Sequence, residues 1–255
     1  MLVLAVSVLG VVALGPLAVL SSSYGFNLST VEQCGPVNIS FFGIASPSDA
    51  VPVTLTLLPF DSQPISIPIS NFARSSTGVA LSFLPLAADT SFVASFDDAA
   101  GNSILRVTDV IGVLPSPTGN STCLPPASDV ISRRFALNGS LSQCQPFDVT
   151  YDPMVMAQPP SVRLFTPRGV AVSVNRTGQF VNGTATYTMC AQRGKQVVLE
   201  FDDGQNYRET TSLITVGGDS TSDKSCICTK DASGGDGGSS ETILSGSGSS
   251  AKLSK

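Results

Sequence analysis

The first half of the chain contains the stretch QCGPVNISF at residues 33–41, and the second half repeats it as QCQPFDVTY at residues 143–151. The Gln, Cys and Pro coincide, and apolar and polar residues alternate after the proline in both stretches. Because successive side chains of a β-strand point to opposite faces, this alternation predicts one half-buried strand in each copy. The stretch therefore predicts a β-structure that occurs twice in the chain.

The similarity between the two copies extends over most of the chain. FVASFDD at residues 92–98 corresponds to VVLEFDD at residues 197–203, and Cys123 corresponds to Cys226. We interpret the repeat as two domains of about 90 residues each. The predicted boundaries are a signal peptide at 1–23, a first β-sandwich at 26–123, a proline-containing linker at 124–135, a second β-sandwich at 136–228 and a disordered Gly/Ser-rich tail at 229–255.

Short segments of high β-propensity are separated by turn-forming residues throughout both copies. Strands are predicted at 36–42, 51–58, 64–69, 78–84, 91–96 and 103–113 in the first copy, and at 146–152, 161–166, 169–175, 183–190, 195–202 and 206–216 in the second. Turn signals at intervals of about 8–12 residues are typical of sandwiches. The predicted fold is all-β, with two tandem immunoglobulin-like antiparallel β-sandwiches.

The amino terminus carries an uncharged apolar stretch from Leu2 to Leu20. Such a stretch is either a secretory signal peptide or a membrane-spanning anchor. Pro16 and the small residues at 21–23 favour cleavage near Ser23 or Gly25. We therefore expect a protein that is secreted or held at the extracellular cell surface. Contact with a membrane is expected only if the stretch stays uncleaved or if the chain is truncated before an anchor.

The mature region contains six cysteines, and an even number behind a signal segment predicts disulfides. The first and last cysteine of each copy recur at matching places, which predicts the pairs Cys34–Cys123 and Cys144–Cys226. The pair Cys190–Cys228 follows by elimination. Exchange of Cys226 and Cys228 between the two partners remains open, because only one residue separates them. A redox or metal-binding function of these two cysteines is the weaker interpretation.

Sequons for N-glycosylation are more frequent than chance would give. Six of nine asparagines begin an N-x-S/T sequence, whereas the Ser and Thr content would give about two. This excess predicts a glycosylated surface. The predicted sites are Asn27, Asn38, Asn120, Asn138, Asn175 and Asn182.

The composition excludes most enzyme chemistries and several kinds of partner. The chain has no His, which removes histidine-based acid–base pairs, catalytic triads and nearly all zinc and copper sites. It also has no Trp, the side chain best suited to stacking on sugars. A net charge of −5 provides no basic surface for phosphates, so nucleic acid is not an expected partner. No cofactor is expected.

Two pairs of adjacent aspartates, at 97–98 and 202–203, are the best remaining candidates for chemistry. Adjacent residues of a strand point to opposite faces, so neither pair can act alone as the two facing carboxylates of a glycosidase. We interpret Asp97, Asp98, Asp202 and Asp203 as hairpin-turn residues, with a calcium site as the weaker alternative. No metal site is therefore predicted.

A carboxylate-dependent hydrolase or lyase would need one of these aspartates to meet a distant acid such as Glu200 or Glu209. Glu200 should point away from the core, because its neighbours Leu199 and Phe201 point inward. A buried acid pair is therefore not expected. The dibasic pair Arg133-Arg134 is a candidate site for a processing protease, but we favour a solvated pair that precedes the second copy.

Together, the signal segment, the twin Q-C-x-P strand starts, the Phe-Asp-Asp hairpins, the sequons and the Gly/Ser-rich tail resemble uncharacterised secreted or cell-surface proteins of basidiomycete fungi. The resemblance implies two immunoglobulin-like sandwiches at an extracellular location, and no activity. We therefore expect a non-enzymatic glycoprotein that binds a wall polysaccharide or an extracellular protein, or that acts as a stalk. The alternatives are the carboxylate-dependent hydrolase or lyase and, less favoured, a protease inhibitor with a rigid loop near Cys190.

Overall fold

The structure, a computed structural model, describes residues 25–43, 53–69, 78–125, 133–178, 180–181, 183–223 and 225–228. Sixteen β-strands and no helix are present in these residues, which confirms the all-β prediction. We refer to residues 25–125 as the first half and to residues 133–228 as the second half. The predicted signal peptide, the tail, most of the linker and the sequon at Asn182 lie outside the described residues.

Eight strands lie in each half. In the first half they are β1 (Gly25–Leu28), β2 (Val31–Glu32), β3 (Val37–Phe42), β4 (Val53–Pro59), β5 (Ile65–Ile69), β6 (Gly78–Leu81), β7 (Ser91–Asp97) and β8 (Ile111–Leu114). In the second half they are β9 (Phe135–Asn138), β10 (Pro146–Tyr151), β11 (Ser161–Phe165), β12 (Ala171–Ser173), β13 (Thr184–Thr188), β14 (Gln196–Asp202), β15 (Arg208–Thr210) and β16 (Ile214–Thr215).

Several observed strands differ from the predicted ones. β1, β2 and β9 were not predicted, and the segments predicted as single strands at 103–113 and 206–216 are interrupted by irregular backbone. β9 begins at Phe135, the last residue of the predicted linker, and this ring is buried in the second half. The second half therefore begins its sheet one residue earlier than its predicted boundary.

Each half has two sheets that enclose a core. The first half has a three-stranded sheet in the order β1-β3-β6 and a five-stranded sheet in the order β2-β8-β7-β4-β5. The second half has a three-stranded sheet in the order β13-β10-β9 and a larger sheet in the order β12-β11-β14-β15, with β16 also paired to β14. Only the short pair β2–β8 is parallel among the strand pairs of the described residues.

The two cores are separate and similar. Ile39 of β3 packs in the first core with Leu55 and Phe96 of the five-stranded sheet. Val149 and Leu199 occupy the second core in the same way. Burying such apolar side chains between two sheets stabilises each half by about 25 cal/mol per Å² of apolar surface removed from water.

A third apolar cluster joins the two halves. Leu58 of β4 is opposite Val93 of β7, and Phe165 of β11 is opposite Val198 of β14. The first pair packs against the second pair. All four are fully buried. The larger sheets of the two halves therefore pack face to face through the sides that point away from their own cores.

The Gln of the repeated Q-C stretch is a structural tie in both halves. The Oε1 atom of Gln143 accepts a hydrogen bond from the Arg193 N–H at 2.8 Å, and its Nε2 atom donates to the carbonyl of Asp223 at 2.5 Å. Gln33 makes the same two kinds of bond, to Ala88 and Asn120, at 2.8 Å each. The side chain thus fastens the start of the repeated stretch to two loops of its own half.

We predict that Gln143→Leu lowers the free energy of unfolding by about 1–3 kcal/mol, because it removes both hydrogen bonds that the buried Gln143 side chain makes to other loops. Urea unfolding of the disulfide-intact protein measures the change. Gln205→Leu, at an exposed hairpin position, is the control and should change stability by less than about 0.5 kcal/mol. Equal effects of the two substitutions would contradict the assigned role of Gln143.

Candidate functional site

The contact between the halves encloses four charged side chains. Arg163 of β11 donates from Nη2 to Oδ1 of Asp97 at 3.1 Å and from Nη1 to Oδ2 at 3.2 Å, which makes a bidentate pair between the halves. Its Nη1 atom also lies 3.4 Å from Oε2 of Glu200. Arg208 donates to the other Glu200 oxygen at 3.1 Å and to the Ser66 hydroxyl of the first half at 2.7 Å. We call Asp97, Arg163, Glu200 and Arg208 the ion cluster.

The acids of the ion cluster are withdrawn from water. The side chains of Asp97 and Glu200 are 5% and 2% exposed, and that of Arg163 is 20% exposed. The hydroxyls of Thr56 and Ser95 donate to Asp97 at 2.8 Å each. Buried charges cost free energy unless each is paired and hydrogen-bonded. The geometry meets this condition, and no buried side-chain polar atom of the described residues lacks a partner.

Burial raises the pKa of the Glu200 carboxyl above its ordinary value. The guanidinium groups of Arg163 and Arg208 lower the pKa, while the carboxylates of Asp97 and Asp202 add to the increase. Desolvation outweighs the two cations because the carboxyl lies between two packed sheets. Glu200 therefore binds a proton more readily in the folded protein than in the unfolded chain.

The meeting of Asp97 and Glu200 corrects one prediction. Glu200 does point away from the core of its own half, but this outward side is covered by the first half, so a buried pair of acids exists after all. The signal was present in the sequence as adjacent apolar residues such as Phe92-Val93 and Val197-Val198. Such pairs break the alternation of a strand with one wet face and indicate a sheet that is covered on both sides.

The arrangement of the ion cluster differs from the carboxylate pair of a glycosidase. A carboxylate-dependent glycosidase needs two carboxyl groups that face each other across an open space of about 5–10 Å. Here Arg163 stands between Asp97 and Glu200, and its guanidinium also lies over the Phe165 ring at 4.7 Å. Both acids are thus engaged by the same guanidinium group.

Two surface clefts flank the contact between the halves. One, of about 500 Å³, is lined by Asp61, Arg133 and strands β9 and β10, and the other, of about 330 Å³, is lined by Arg163, the 101–103 hairpin and β12. Asp61 is the single carboxylate in the two linings, and it pairs with Arg133 at 2.6 Å. Neither cleft brings two acids together.

The remaining candidate aspartates act in turns. One oxygen of Asp98 accepts the N–H groups of Ala100 and Asn102 at 2.9 and 2.8 Å. In the equivalent hairpin of the second half, one oxygen of Asp203 accepts the N–H groups of Gln205 and Tyr207. Asp202 accepts the Gly204 N–H at 2.7 Å. The predicted turn role is therefore observed for these three residues but not for Asp97. No group of three or more metal-ligating side chains occurs in the described part of the chain.

Glu209, the other acid considered for catalysis, holds the start of β9. Its carboxylate accepts the backbone N–H groups of Arg134 and Phe135 at 3.2 and 3.0 Å and the Tyr207 hydroxyl at 2.9 Å. Burial, together with this hydrogen bond to Glu209, raises the pKa of Tyr207 to about 12. Glu209 is thus fully engaged by the chain that leads into the second half.

Both arginines of the dibasic pair are exposed and precede β9, as expected of a solvated pair, and each also makes an ion pair. Arg134 bonds to Asp203 at 3.2 Å and covers the Tyr207 ring at 4.1 Å. Arg133 pairs with Asp61 of the first half. Both side chains remain about half exposed. The following residue, Phe135, is buried in the second core.

The disulfides match the predicted pairs: Cys34–Cys123, Cys144–Cys226 and Cys190–Cys228. Each bridge lies within one half, so none links the two halves covalently. The five described sequon asparagines, Asn27, Asn38, Asn120, Asn138 and Asn175, are all exposed. Three of them lie on the three-stranded sheets, on β1, β3 and β9.

No protein-family model matches the chain, and no curated protein matches it. No membrane-spanning helix is found among the described residues.

We predict that the stability contributed by Glu200 falls as the pH rises. Its pKa is higher in the folded state than in the unfolded chain, so this contribution is complete below about pH 4.5 and is lost as the pH passes the folded-state pKa. Urea unfolding of the wild type and of Glu200→Gln across pH 4–8 measures the difference in unfolding free energy. That difference should decrease with pH, at most by about 1.4 kcal/mol per pH unit. A difference that grows with pH would contradict the assignment.

Proposed function

We propose that this chain is a non-enzymatic secreted or cell-surface glycoprotein that serves as a rigid extracellular module. In that role it would bind a wall polysaccharide or another protein, or hold other parts of a surface apart as a stalk. The observation that carries the proposal is the state of the candidate catalytic acids. Asp97, Glu200 and Glu209 are committed to arginines and backbone N–H groups inside the protein. They hold its parts together.

The extracellular location is supported by two features. Three disulfides suggest an oxidising environment, because thiols stay reduced in the cytosol. The exposure of the five described sequon asparagines leaves room for attached glycans. The proposal includes an immunoglobulin-like identity of the two halves, which the two sheets around one core in each half support. It also includes the resemblance to basidiomycete surface proteins.

The function is tested by secretion from a eukaryotic host followed by co-sedimentation with insoluble chitin, β-glucan and mannan. The same preparation is incubated with dye-labelled forms of these polymers. The proposal expects no dye release. A polymer-binding module should sediment with one of the polymers, whereas a stalk should stay in the supernatant. Dye release that disappears in Asp97→Asn or Glu200→Gln would support a carboxylate-dependent hydrolase or lyase and would overturn the proposal.

We predict that the secreted protein carries N-glycans on the exposed sequons. Treatment with a peptide-N-glycosidase should increase its electrophoretic mobility, and Asn38→Gln should remove one step of this shift. Asn102→Gln is the matched control, because Asn102 is followed by Ser103 and Ile104 and begins no sequon. A secreted protein whose mobility is insensitive to the enzyme would refute the predicted glycosylation.

A further inference from the structure

The two halves correspond residue by residue beyond the repeated motif. Thr108 donates its N–H to the Ala94 carbonyl at 3.0 Å, and its hydroxyl accepts the Ala94 N–H at 2.9 Å. Thr211 makes the same two bonds with Leu199, at 2.9 and 3.0 Å. These matching bonds show that Thr108 is equivalent to Thr211 and that Ala94 is equivalent to Leu199.

The backbone–backbone hydrogen bonds between the halves occur in reciprocal pairs. Asp61 donates its N–H to the Thr211 carbonyl at 3.2 Å, and Arg168 donates to the equivalent Thr108 carbonyl at 3.0 Å. Asp61 and Arg168 follow β4 and β11 at equivalent places and have φ values of 55° and 57°. A second reciprocal pair joins Thr210 to Ser62 at 2.8 Å and Val107 to Gly169 at 3.0 Å. The contact is therefore that of a two-fold dimer built within one chain.

The charges break this symmetry. We call the outward side of β4 and β7 the first face and the outward side of β11 and β14 the second face. The register pairs Thr56 with Ser95 on the first face and Arg163 with Glu200 on the second. At equivalent places, Thr56 thus corresponds to Arg163 and Ser95 to Glu200. Asp97 corresponds to Asp202, which accepts the Gly204 N–H of its own hairpin.

We propose that Arg163 makes the first face specific for the second face, because it supplies the cation that the buried Asp97 requires. Two first faces packed in the same way would bury two Asp97 carboxylates opposite Thr56 hydroxyls, with no guanidinium on either side. An uncompensated buried charge is strongly unfavourable. The first face therefore accepts a β-sheet face that presents an arginine at this place. The second half of the same chain presents it at high effective concentration.

Glu200 and Arg208 are positioning residues in this arrangement. Glu200 bonds to Arg163 on one oxygen and to Arg208 on the other, and Arg208 in turn reaches Ser66 of the first half. The guanidinium of Arg163 is thereby held in the plane in which it meets both oxygens of Asp97. Bidentate pairing of this kind adds geometric specificity to the attraction between the charges.

Amide hydrogen exchange of the full chain tests the proposal with Arg163→Thr, which installs the residue found at the equivalent place in the first half. Exchange at the four amides that bond to a backbone carbonyl of the other half, those of Asp61, Val107, Arg168 and Thr210, should become at least about 100-fold faster. The amides of Thr108 and Thr211, which bond within one half, should change by less than about threefold.

Two further variants identify the cause. The double variant Arg163→Thr with Asp97→Ser removes the acid as well as the cation, and should return exchange to within about tenfold of the wild type, because no unpaired charge is left. Arg133→Thr deletes an ion pair that also joins the halves but is about half exposed, and should change exchange by less than about threefold.

Three results would overturn the proposal. The first is an Arg163→Thr variant that exchanges no faster than Arg133→Thr. The second is a double variant that exchanges as fast as Arg163→Thr alone, since Arg163 would then not act through the charge of Asp97. The third is equal acceleration of all amides in both halves, which would make Arg163 a general stabiliser and not a determinant of pairing.

Discussion

The structure depends on the burial of both sides of its larger sheets. Strand β7 shows the constraint most clearly, because all its residues except the first are buried, although only every second side chain faces the core of the first half. Val93 and its equivalent Val198 are completely covered on the opposite side. A sheet with apolar side chains on both sides must have both sides removed from water. The outward side of each larger sheet is covered by the larger sheet of the other half.

This constraint explains where the charges lie. Once the larger sheets pack against each other, polar residues at their outward positions lose contact with water and need partners within the contact. Asp97, Arg163, Glu200 and Arg208 satisfy one another there. Buried ion pairs add little net stability compared with well-packed apolar residues. The apolar cluster therefore contributes most of the attraction, while the ion cluster determines which faces can pair.

Much of the fold could be predicted from the sequence because its signals are local. The alternation in Val37 to Phe41, the recurrence of the cysteines and the Asp-Asp turns each depend on a few neighbouring residues. β2 has two residues, too short for a period to be visible, and β1 comes shortly after the apolar stretch Leu2 to Leu20 in the sequence. The alternating pattern does not reveal the contact between the halves, because it predicts one solvent-exposed side for each strand. It places Glu200 on that exposed side.

The two acids of the candidate site could be selected from the sequence, but Arg163 and Arg208 could not. Asp97 and Glu200 were both selected from the sequence, yet their approach to Arg163 depends on how two distant sheets pack, which no local pattern encodes. The sequons fit the resulting arrangement: Asn27, Asn38 and Asn138 lie on the smaller sheets, whereas the buried sides of the larger sheets carry none. Glycans would thus cover the outside of a two-part block without disturbing its central contact.

The packing of the larger sheets joins the two halves into one body. Residual dipolar couplings of backbone amides in the weakly aligned full chain test this claim most directly, because each half reports its own alignment tensor. We expect one tensor, calculated with the halves in the observed orientation, to fit the couplings of both halves. Two tensors that differ in magnitude or direction would show that the halves move independently and would contradict the account.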